Sequence, residues 1–285
     1  MNLKSKPFIG IMAFIIVLFT MPLGHAMMIL MQLFLGETNQ YIGAIIVGLF
    51  GFAALLISLK DKNDTHRTFL GLFSGIFMWT GFVEFSFVFF AEHLSIMPIL
   101  ENGEVVTKPE YLLLPSTIGL NLSIIIYFLL NGQNRCNFFR WIRRLFKMNI
   151  PSVPDAKTKN YAVVTAMETI LIMWSFYIVL MLAYDKTIFG DHHPFTYTVF
   201  FGALLWSLYL IIRLMKITKI APAIRYAIPT VIIFWNAVEI LGRWDFFKEI
   251  WVEPTNYILE MGLIFGAFTG LLILLLLSPK NKKVE

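Results

Sequence analysis

The sequence predicts an all-α polytopic membrane protein with eight transmembrane helices, and three observations carry that expectation. Of 285 residues, 58% are hydrophobic and only 14% charged, against roughly 25% charged in a soluble domain. Too few polar side chains remain to cover a soluble core. Apolar runs of about 20 residues, the length a bilayer core demands of a helix, recur at 8–35, 41–59, 68–91, 111–131, 161–184, 196–215, 224–247 and 256–277. Finally, Lys and Arg gather in alternate connections.

Lys4 and Lys6 precede the first run, and Lys60, Lys62 and Arg67 follow the second. Seven basic residues from Arg135 to Lys159 follow the fourth. Arg213, Lys216, Lys219 and Arg225 flank the next such turn, and Lys280, Lys282 and Lys283 follow the eighth run. The intervening connections "GETNQ", "ENGEVVTKPE", "YDKTIFGDHHPF" and "KEIWVEP" are poor in basic residues. By the positive-inside rule both termini face the cytoplasm, across the inner or plasma membrane of the cell. That placement accounts for the net charge of +5 without any nucleic-acid partner. The start "MNLKSKPFIGIMAFIIVLFTMPLGHA" has the layout of a signal peptide, but its apolar character continues through "MMILMQLFLG". An uncleaved first span is therefore expected. Cys136 is the single cysteine, so neither an internal disulfide nor a cysteine-based metal cluster is expected.

The chain divides into a first four-helix repeat (1–131), a basic cytoplasmic connection (132–160) and a second four-helix repeat (161–285). In the connection, "NFFRWIRRLFKM" places Phe138, Trp141, Ile142 and Leu145 at helical spacing and Arg140, Arg143, Arg144 and Lys147 on another side. Such a helix lies in the inner headgroup layer, with its basic side toward anionic lipid. The repeat shows when Glu84 is laid on Glu239: "TGFVEFSF" meets "WNAVEILG", with a tryptophan about one turn before each acid. In the following spans Pro109 and Tyr111 correspond to Pro254 and Tyr257, and Ser123 to Thr269. Units of four spans point the same way through the membrane, which is the parallel 4+4 arrangement.

The two matched acids are the main functional candidates. Glu84 stands in an apolar stretch whose nearest charged residues are Arg67 before it and Glu92 after it. A carboxylate at such depth costs several kcal/mol unless it is paired, protonated or wet, so it implies a function and a partner. Thr80 lies one turn before Glu84; Asn236 lies at i−3 from Glu239, and Arg243 at i+4 offers Glu239 a local structural pair. His25 follows Pro22 and Gly24 in the first span at similar depth. Glu84, Glu239, His25, Thr80 and Asn236 are thus the expected ion, proton or substrate site. Asn121, Glu168 and Glu260 are further intramembrane polar residues, Glu168 in the inner half. Met21, His25, Met28 and Gln32 share one face, which suits Cu(I) or, more plainly, helix packing by methionine; which metal or cofactor, if any, is unknown.

No P-loop, Rossmann fingerprint, GxSxG or HExxH is present, and no span carries a mid-depth lysine or an arginine ladder. Three readings follow. One is a small transporter or ion- or proton-coupled carrier with paired carboxylates in the outer half. Another is a non-catalytic subunit or scaffold, its acids satisfied within the bundle or by a membrane partner subunit. The last is a membrane-embedded enzyme, metal-dependent or acting on lipid.

Overall fold

The computed structural model describes residues 6–101, 104–130, 137–148 and 160–277, the side chains of residues 37, 101, 104–106, 137 and 275–277 aside. Its helices are α1 (Phe8–Gly36), α2 (Thr38–Ser58), α3 (Asp64–His93), α4 (Pro109–Leu130), α5 (Asn137–Leu145), α6 (Tyr161–Tyr184), α7 (Pro194–Leu214), α8 (Ile220–Arg243) and α9 (Ile258–Leu277). Seven of them, all but α5 and α9, are long and apolar enough to cross a membrane among the described residues, so the chain is a multi-pass membrane protein. The sequence asks for eight crossings; α9, Ile258–Leu277, is apolar over Ile258–Leu274, the part whose side chains are described, and is not among the seven. Large apolar side chains such as Ile46, Phe50, Leu205 and Leu263 are more than half exposed, as lipid contact allows.

Local chemistry sets the helix ends. Between α1 and α2 the chain reverses at Gly36, whose φ of 72° with ψ of 177° is open essentially to glycine alone. Asn63 and Asn160 accept backbone N–H bonds at the starts of α3 and α6, at 2.9 and 3.2 Å. Pro194 opens α7 at the first turn, where a missing N–H costs nothing. Before α4 the chain forms an antiparallel hairpin, β1 (Ile99–Glu101) with β2 (Glu104–Thr107). Hydropathy alone makes this segment a connection between spans, although Asn102–Gly103 is a strong hairpin signal.

Burial separates the helices into two sets. Helices α8, α3 and α6 are the most buried, while α2, α4 and α7 leave most of their surface open. Since lipid is as apolar as leucine, helices in a membrane hold together through close packing of small residues. Gly71 and Gly75 on α3, four apart, meet Ala162 and Ala166 on α6: a Cβ on either glycine would lie 2.4 or 2.9 Å from an alanine carbonyl oxygen. On the same level α1 packs against α8, with Phe14 and Phe234 edge to face at 5.7 Å. At the basic end, Arg225 of α8 holds Asp64 and Thr68 of α3 at 2.8 and 2.5 Å and lies 4.1 Å over the Tyr161 ring.

Helix α5 forms where the sequence places it, but with a different inner face. Phe139 is buried, Phe138 and Trp141 pack on Trp206, and Leu145 is 60% exposed. Arg143 is buried as well: it donates to the carbonyl oxygens of Leu129 and Phe128 at 2.7 and 2.8 Å. Those are orphan acceptors at the C-terminus of α4, so Arg143 caps a helix. This corrects its expected place on the lipid-facing basic side, where Arg140, Arg144 and Lys147 are exposed.

Candidate functional site

Halfway along α3 the helix widens into a π turn, Trp79–Glu84. The cause is local: Gly81 presses onto α2, where a Cβ would meet the Ala44 oxygen and the Gly48 nitrogen at 2.4 Å each. Such turns re-aim the side chains at their ends. Here the turn buries Trp79, Thr80 and Glu84 together, and Thr80 hydrogen-bonds the Glu84 carboxyl.

His25 of α1 is the meeting point. Its Nε2 lies 2.5 Å from the Tyr177 hydroxyl on α6 and 3.4 Å from Oε1 of Glu239 on α8. Oε1 of Glu239 is held in place by the indole N–H of Trp235, which donates at 2.6 Å. Tyr177 is held by its ring, stacked between Trp79 at 6.0 Å and Tyr111 at 6.4 Å. Glu84, His25 and Tyr177 then line one small cavity of about 20 Å³ with Trp79 and Thr80. A second, of about 10 Å³, joins Glu84 and Tyr177 to Glu110 and Tyr111. Each has room for about one water. Glu110 also lines a polar pocket of about 490 Å³ with Gln32, Gln40, Glu92 and Lys108, at the end of the bundle poor in basic loops.

Chemically this is a row of proton-accepting groups, Glu110, Glu84, His25 and Glu239, spaced by single-water cavities or direct contacts. Glu249, in the connection after α8, extends it. Its carboxyl packs over Gly242, where a Cβ would lie 2.1 Å from Oε1. Burial, and next the charge of Glu239, push the Glu249 carboxyl up to about 7. Toward the basic end the row stops. Ala13, Ile16, Val17, Leu72, Ile224 and Ile228 are all fully buried there, a tightly packed and mainly apolar seam in which the hydroxyls of Thr165 and Thr169 bond back to their own helix.

Four of the five expected site residues therefore meet: His25 contacts Glu239, shares a cavity with Glu84 and Thr80, and links the two acids. Asn236 makes no contact with them among the described bonds; its Nδ2 donates to the Ile232 carbonyl of its own helix at 2.8 Å, and its buried Oδ1 has no partner among the described residues. Nor is the local Glu239–Arg243 pair among the described ion pairs. Arg243 holds Asp191 at 2.9 Å and lies 4.9 Å over the Tyr184 ring. Asn121 accepts from Ser175 at 3.2 Å, Glu168 is buried and Glu260 is exposed. Among the described residues no group of three or more His, Cys, Asp or Glu side chains is placed to hold a metal ion. Sequence reasoning missed Tyr177, Tyr111, Trp79, Glu110 and Glu249. For Glu110 and Glu249 the acidic character next to a span was a usable signal; for the aromatic stack there was none. Comparisons with protein-family models, with curated proteins and with solved structures find no match, so the site is read from its own chemistry.

Proposed function

We propose that this protein is a small proton-coupled carrier of the cell membrane, with both termini cytoplasmic, in which Glu84 and Glu239 bind protons through a shared histidine. The observation that carries the reading is the position of His25, with Nε2 2.5 Å from Tyr177 and 3.4 Å from Glu239, on the cavity that holds Glu84. A neutral imidazole with a bare Nε2 accepts a hydrogen bond from the Tyr177 hydroxyl; a protonated one donates from Nε2 to Glu239. The ring thus changes partner with its charge, which is how a proton moves between fixed groups.

The close-packed seam favours a carrier over a channel. Polar cavities reach the site from one end, while six fully buried apolar side chains close the other. Alternating access requires such a one-sided state. The parallel 4+4 repeat fits the packing too. Spans three and five meet through α3 and α6, and spans seven and one through α8 and α1, as a two-fold axis along the membrane normal demands. That axis relates Glu84 to Glu239 across the bundle.

The test is a pH jump on the purified protein adsorbed to a solid-supported membrane. Proton entry into the relay displaces charge and gives a transient current. Glu84→Gln is expected to remove most of that current while the protein still elutes as a folded species. An unchanged current in Glu84→Gln, or none in the wild type, contradicts the reading.

A further inference from the structure

Beside the polar site, α1, α3 and α9 enclose an apolar groove of about 810 Å³. Its walls include Met27 and Phe34 of α1, Phe77 of α3, and Met261 and Phe268 of α9, with Pro254 and Thr255 at its mouth. Between Thr20 and Phe34, 14 residues of α1 give it a length of roughly 21 Å at 1.5 Å per residue. That volume is in the range of ligand sites, about 300–1,000 Å³.

Three residues, Thr20, Gly24 and Ile76, line both this groove and the small cavity that holds His25 and Glu84. Of the three, Gly24 puts no side chain between apolar and polar space, and a Cβ there would meet nothing within 4 Å. Pro22, two residues before, removes a helical hydrogen bond and loosens α1 at the same level. Beyond this wall stand an imidazole and a carboxylate, with a second carboxylate on the imidazole, a set that favours a positive head. The exposed acids Glu253 and Glu260 flank the mouth.

We propose that the groove admits a single-chain cationic amphiphile from the outer leaflet, whose ammonium head passes at Gly24 to displace a proton from the Glu84–His25–Glu239 cluster. This rests on the proton-coupled reading and supplies its substrate class. The chain lies along α1 against Met27, Phe34 and Phe268. The head exchanges with the proton that the cluster otherwise holds, so substrate and proton travel in opposite directions.

The test uses n-dodecylammonium and protein in lipid nanodiscs, with binding corrected for empty nanodiscs. The expected result is saturable binding that weakens about tenfold for each pH unit of acidification while one proton is displaced. Tetramethylammonium, which has no chain, and n-dodecanol, which has no charge, are expected to bind at least about 100-fold more weakly, an energy difference of about 2.7 kcal/mol. Gly24→Ala keeps binding, whereas Gly24→Leu and Gly24→Trp weaken it at least about tenfold with an unchanged thermal midpoint. Equal binding of n-dodecanol makes the groove an ordinary lipid contact and overturns the proposal, as does full binding by Gly24→Trp. Either failure with the pH-jump current intact sinks this inference alone. A missing current sinks the relay beneath it.

Discussion

The same four helices, α1, α3, α6 and α8, make two different interiors. Toward the basic end they touch through Gly71, Gly75, Ala162 and Ala166, with Leu72, Ile224 and Ile228 fully buried between them. Toward the other end they carry His25, Glu84, Tyr177 and Glu239, with small cavities beside His25, Glu84 and Tyr177. The difference teaches where stability and function are divided. The dry half holds the bundle by close backbone approach, the main attraction left to helices in lipid. The wet half spends that closeness on polar groups, whose desolvation each pairing only partly offsets.

One substitution made in both halves separates them most sharply. Gly75→Leu puts a Cβ 2.9 Å from the Ala166 oxygen. Backbone cannot yield there, so a loss of roughly 3 kcal/mol is expected, at the upper end for overpacking. Gly24→Leu places its side chain in open groove and is expected to change stability by less than about 1 kcal/mol. Thermal unfolding of both variants in the same nanodiscs checks the contrast. Equal losses would erase the distinction between the halves.

A smaller effect tests how the wet half couples to pH. Glu249 lies outside the spans with its carboxyl raised to about 7. The folded chain therefore holds a proton that the unfolded chain releases near pH 4.3. That contribution is complete below about pH 4 and is lost as pH rises through about 7. Glu249→Gln is expected to flatten the fall in thermal midpoint between about pH 5 and pH 8. Parallel curves for the two proteins would mean that Glu249 stands apart from Glu239 and His25.

The outline of this molecule was legible because lipid imposes a simple rule. Segment length and the placement of Lys and Arg gave helix boundaries within a few residues, from Tyr161–Tyr184 to Pro194–Leu214. Glu84, Glu239, His25 and Thr80 stood out because polar groups are costly at that depth. The partners did not. Tyr177 lies 152 residues from His25 in the chain, and a tyrosine in an apolar span reads as packing. One-turn spacing points Arg243 to Glu239, and the sequence held no sign of its ion pair with Asp191, 52 residues away. For Asn236 the helix supplies a partner for Nδ2 alone and leaves the buried Oδ1 without one among the described residues. The groove at Gly24 left no trace, since a missing side chain says nothing of the space beside it.

The central claim is that Glu84 and Glu239 belong to one protonating unit through His25. Infrared difference spectroscopy across a pH step reads it most directly, since a protonated carboxyl has its own C=O band. Glu84→Gln is expected to remove one such band, and Glu239→Gln to shift the midpoint of that same band. His25→Ala should uncouple them, leaving each acid to titrate as it does in the other's absence. A Glu84 band whose midpoint ignores both Glu239→Gln and His25→Ala would contradict the account.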